Sequence, residues 1–144
     1  MTTTNKPSVS FWIIAIIALL WNSLGVIAYL GQVYITDEAL NAMTPEQQEL
    51  FANTPAWITG VFAVGVFGGF LASILLLLRK KWAVPLFLVS LLAVLINTCY
   101  SFFATNQAEV YGTLQGIVMP LIIAVIAIFL YMYSKKTAAN GLIN

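Results

Sequence analysis

Asn22, Asn97 and Gln115 are the side chains hardest to explain as simple packing, because each is a primary amide set inside a long apolar run. An uncharged amide carries both hydrogen-bond donors and an acceptor. Several together can hold a neutral, hydroxyl-bearing solute, or they can bond one another across helices. Hydroxyl groups stand close by in sequence: Ser23 follows Asn22, and Thr98 and Tyr100 follow Asn97. Beyond Gln115 comes Pro120, which has no N–H to give the carbonyl of Gly116, so a kink beside Gln115 is expected. Asn22, Ser23, Asn97, Thr98, Tyr100 and Gln115 are therefore the candidate lining of a polar pocket. The competing reading is that the amides only bridge helices, at about 1 kcal/mol per pair.

Most other chemistry is excluded by residue type. The chain has no histidine, and Cys99 is its only cysteine, so it has no internal disulfide, no Cys/His metal site and no imidazole base. No nucleophile has a base beside it, and the glycine pairs lie in apolar stretches rather than after a strand. Neither catalytic residues nor a metal or cofactor are expected, and the chain does not read as an enzyme. No ionisable group lies deep within an apolar run; Glu109 comes nearest, which disfavours proton coupling. A net charge of +1 excludes a broad surface for nucleic acid.

The elements that must position the amides follow from composition. Of 144 residues, 61% are hydrophobic and 8% charged, where a soluble domain carries about a quarter charged. Residues 11–30 contain no charge, and 20 residues of helix reach about 30 Å, the thickness of the hydrocarbon core. Residues 56–78, 82–104 and 111–133 behave alike. Lipid offers no partner to a free N–H or C=O, so these segments are predicted to be helical. The fold expected is all-α: an integral membrane four-helix bundle, a single domain over residues 1–144. A cleavable signal is the rival reading of the first run, with small residues near Val26-Ile-Ala28. The run is longer than a signal core and contains Trp21 and Asn22, so it reads as a span.

Orientation comes from the positive charges. Lys6 precedes the first span, Arg79, Lys80 and Lys81 separate the second from the third, and Lys135 and Lys136 follow the fourth. The other two connections hold only Asp37, Glu38, Glu46, Glu49 and Glu109. The positive-inside rule then places both termini and the Arg79-Lys80-Lys81 turn in the cytoplasm, where the turn can also hold an anionic lipid headgroup. In the outer loop, residues 31–55, Thr44-Pro-Glu-Gln47 has the form of a capping box and predicts a short helix from Pro45 to about Ala52.

Close packing is expected where small residues recur. Ala15, Ala18, Asn22, Gly25 and Tyr29 share one face of the first span, and Ser90, Ala93, Asn97 and Tyr100 one face of the third. Gly65 with Gly69, and Gly112 with Gly116, form GxxxG pairs, which suit helix packing and, more weakly, pairing between copies. The halves also align, Leu20-Trp-Asn22-Ser23 with Leu95-Ile-Asn97-Thr98, as in a parallel repeat, although any two membrane hairpins share much of this.

The stretches FWIIAIIALLWNSLGVIAYL, YITDEALNAMTPEQQELFANTPAW and LLLLRKKWAVPLF together resemble a family of small bacterial four-span membrane proteins of unassigned function, often labelled sugar transporters. The resemblance implies a bacterial inner membrane and, as function, transport or binding of a neutral small solute such as a sugar; it carries no site residues of its own. The alternative is a non-catalytic accessory or assembly subunit. Expected partners are the lipid bilayer and either further copies of the chain or a larger membrane complex.

Overall fold

Ser8 opens the first helix by accepting the Phe11 N–H on its hydroxyl, and an uninterrupted apolar sequence then carries α1 (Val9–Val33). The computed structural model describes residues 6–144. After α1 the connection is itself helical. Thr36 caps α2 (Asp37–Asn41), and Thr44 caps α3 (Pro45–Ala52) with a reciprocal bond from its own N–H to Gln47, a complete capping box. Then come α4 (Ala56–Leu77) and α5 (Ala83–Phe103).

The last long segment is not one helix. It comprises α6 (Gln107–Thr113), a π-helical turn (Leu114–Val118) and α7 (Met119–Ala139). The expected kink at Pro120 takes a different form. The backbone leaves helical geometry at Gly112, with φ 85°, and the Met119 N–H bonds the carbonyl of Leu114. Pro120 follows directly on that π turn, in the first turn of α7, and the backbone at Thr113, Leu114, Val118 and Met119 is helical throughout, so the proline adjoins a widened turn that contains Gln115.

Four helical segments are long and apolar enough to cross a membrane: α1, α4, α5 and Gln107–Ala139. No strand occurs among the described residues. The start of α1, the end of α4, the start of α5 and the end of α7 meet in one cluster that includes Phe11, Leu76, Ala83, Leu130 and Ile143. The helices therefore alternate in direction, and the two ends of the described chain lie together with Arg79, Lys80 and Lys81. This is the basic end; the five carboxylates, on the connections before α4 and in α6, mark the acidic end.

The order of packing is α1 on α4, α4 on α5, and α5 on α7, with α3 lying against α6 at the acidic end. Contact between α1 and α7 is slight by comparison, so the helices form a row gathered at the basic end more than a closed ring. Little of each span is covered: 11% of the apolar stretch of α1 is buried, and 28% of that of α4.

The basic end is closed by the residues after α7. Gly141, at φ 76°, ends α7 by turning the chain, with the Leu142 N–H on the carbonyl of Thr137. Ile143 is thereby driven fully into the core. Asn144 then pairs with the α4–α5 turn: its N–H bonds the Arg79 carbonyl at 2.8 Å, and its carbonyl receives the Lys81 N–H at 2.7 Å. Arg79 adds a bond from Nε to the Leu142 carbonyl at 2.8 Å. Arg79 is also the one non-glycine with positive φ among the described residues, at 58°, and the returning segment fixes that unfavourable conformation from both its carbonyl and its side chain.

Candidate functional site

The polar groups of the spans converge at one level, around Gly69. Asn22 on α1 donates from Nδ2 to the carbonyl of Ala18 at 2.8 Å and to Ser73 Oγ on α4 at 3.0 Å. Ser73, fully buried, passes its own proton to the carbonyl of Gly69 at 2.8 Å. From the other side Ser90 on α5 donates to the carbonyl of Gly65 at 2.6 Å. Three helices are thus joined by uncharged hydrogen bonds, each donor placed by its helix and each taken up inside the chain. In lipid such interhelical bonds contribute about 0.6 kcal/mol on average and up to about 1.7.

Glycine permits this convergence. A Cβ on Gly69 would run into Asn22 Oδ1 and come within 3.0 Å of Asn22 Cγ and 3.1 Å of Ser90 Oγ. Gly65 has an easier neighbour, since its Cβ would stand 3.5 Å from Ala93 Cβ. Gly25 of α1 sits over Val66 of α4, and a Cβ there would meet Val66 Cγ1 at 3.2 Å. The first GxxxG pair is therefore engaged within the chain. The second serves a different purpose: Gly112 supplies the positive φ, and Gly116 lets α6 fold back on the π turn, since its Cβ would lie 2.6 Å from Ala108 Cα.

The six candidate pocket residues are not gathered into one chamber. Asn22 and Ser90 both meet Gly69, whereas Asn97 lies two helical turns beyond Ser90, about 10 Å farther toward the acidic end. Register keeps the two asparagines apart. Ser23 gives its hydroxyl to the carbonyl of Leu19 in its own helix, at 2.7 Å. Tyr100 sets its ring edge-on to Trp57 of α4, centroids 5.6 Å apart. Gln115 is exposed, on the π turn. Asn97 and Thr98 are half-buried, and neither the amide of Asn97 nor that of Gln115 hydrogen-bonds another described residue. Beside Tyr100 and Trp57 there is instead an open apolar groove of about 510 Å³, bordered by Ile96, Cys99 and Phe103.

Sequence reasoning missed Ser73 and Ile143. Ser73 stands four residues after Gly69, the spacing that puts both on one helix face, and this was the available signal. For Ile143 the signal was Gly141 followed by an apolar residue, a helix-ending pattern that turns the chain back. Among the described residues no group of three His, Cys, Asp or Glu is placed to hold a metal ion. Compared with known proteins, the chain matches no family model, no curated protein and no solved structure.

Proposed function

We propose that this chain is a non-catalytic membrane subunit: a small four-span protein, termini and Arg79-Lys80-Lys81 turn in the cytoplasm, whose exposed helix faces pack into a larger membrane assembly. The observation that carries the reading is how the intramembrane hydrogen-bonding capacity is used. Asn22, Ser73 and Ser90 are satisfied by one another and by helix carbonyls, so the polar groups that meet at Gly69 fix three helices and are not open to a solute, while Asn97 stands two turns away from them. Meanwhile most of every span is uncovered, so there is ample surface for partner helices. The resemblance to small bacterial four-span proteins supports a bacterial inner membrane as the location. Solubilisation in mild detergent, pull-down through a tag and mass spectrometry should recover the chain with other membrane proteins. Recovery of the chain alone would count against the proposal.

One observation favours the second reading, passage of a neutral solute such as a sugar through an oligomer. The fourth span is broken at Gly112 and widened at Leu114–Val118, and interrupted helices line the substrate sites of many transporters. Irregular backbone at membrane depth requires protein cover or water. Sugar uptake into proteoliposomes that is lost on joint Asn97→Leu and Gln115→Leu substitution would favour transport over assembly.

A further inference from the structure

We infer that the end of α7 carries a binding site for one anionic phospholipid, with the headgroup phosphate on Lys135 and an acyl chain along Ile128 and Met132. The site rests on the proposed membrane orientation and adds to it a specific ligand.

Lys135 Nζ lies over the Tyr131 ring, 5.6 Å from its centroid. Tyr131 is one turn earlier on α7, so the ammonium is held back toward the span instead of reaching away from it. A cation over an aromatic face is attracted by the ring quadrupole and keeps its N–H donors for another partner. Beneath it runs a groove of about 430 Å³ formed by Ile128, Tyr131, Met132 and Lys135, which recur every three or four residues along one face of α7. Ile128 is 41% exposed and Met132 63%, so the groove is open to whatever surrounds the protein.

Charge selects the occupant. Lys6, Lys80, Lys81, Lys135 and Lys136 stand at the basic end, and every acidic side chain of the chain belongs to the other end. No acidic side chain of this protein stands at the end of α7, which leaves the Lys135 ammonium open to an anion from outside. In a bilayer the molecule with an anion at this height and a hydrocarbon tail beside it is an acidic phospholipid. A lysine near such a surface contributes about 1 kcal/mol, a preference of about fivefold over a zwitterionic lipid.

The test is native mass spectrometry of the detergent-solubilised protein given equal amounts of phosphatidylglycerol and phosphatidylcholine. The wild type should retain phosphatidylglycerol about fivefold over phosphatidylcholine. Lys135→Gln should bring the ratio near one, while Lys135→Arg, which keeps the charge and reports on folding, should preserve it. Lys80→Gln with Lys81→Gln should leave most of the preference, and excess inorganic phosphate, having no tail for the groove, should not displace the lipid. Equal retention of both lipids by the wild type overturns the site. So does a preference that survives Lys135→Gln, one lost equally with Lys80 and Lys81, or one displaced by phosphate. A protein that purifies without detergent would instead overturn the membrane reading beneath it, and the two failures are distinct.

Discussion

Gly69→Ala is the substitution on which the geometry of the helix junction is most exposed. A Cβ at this position collides with Asn22 Oδ1 and crowds Asn22 Cγ at 3.0 Å and Ser90 Oγ at 3.1 Å. Asn22 must swing away and release Ser73, a loss of about 0.6 to 1.7 kcal/mol. Forcing a methyl into the packed junction adds about 1 to 3 kcal/mol, giving about 2 to 5 kcal/mol in all. Two other glycines of α4 calibrate the result. At Gly60 a Cβ meets nothing within 4 Å, and at Gly65 it meets Ala93 at an ordinary 3.5 Å, so alanine there should cost little. The decisive measurement is a double-mutant cycle, read as unfolding on titrating SDS into mixed micelles and followed by tryptophan fluorescence. Asn22→Ala alone should cost about 0.6 to 1.7 kcal/mol. With Asn22 already shortened, Gly69→Ala should cost at least about 1 kcal/mol less than it does in the wild type, a coupling typical of residues in contact. Equal costs for Gly69→Ala and Gly60→Ala, or an additive cycle, would refute the three-helix junction.

Three further outcomes follow from other parts of the fold. Ile143→Ala should destabilise by about 2 to 5 kcal/mol, as for other buried isoleucines, and lower the melting temperature in detergent; an unchanged melting temperature would mean that the returning segment is not docked. Thr44→Ala removes the capping box of α3 and should cost about 1 kcal/mol locally, seen as faster amide exchange over Pro45–Ala52 without a change in global unfolding. In a Cys99→Ser background, a membrane-impermeant maleimide applied to intact spheroplasts should label Glu46→Cys but not Lys80→Cys, and the reverse pattern would invert the proposed orientation.

The existence of the spans was legible because a bilayer dictates length and apolarity, and both are written residue by residue. Boundaries were legible where a side chain makes the cap, as at Thr44 and Gln47. The fourth span was not. Pro120 promised an irregularity and Gly112 only close packing, but whether the segment bends, widens into a π turn or breaks depends on α6 packing over Gly116, a contact that no local pattern encodes. The candidate pocket fell short for a related reason. Counting residues from each span's own boundary gives approximate depth, whereas the meeting of two amides depends on register between helices. Here register is set by Gly69, which admits Asn22 and Ser90 at one level and leaves Asn97 two turns away.

The row of helices also has a history imposed by the direction of synthesis. The middle pair, α4 and α5, is the platform against which the outer two are docked, α1 on one member and α7 on the other. Yet α1 leaves the ribosome first, before its docking surface exists. During that interval Ser73 has not been made, and the amide of Asn22 has only the carbonyl of Ala18, in its own helix, to bond. Until α4 arrives, the nascent first helix therefore lacks the bond between helices that its asparagine makes in the folded chain.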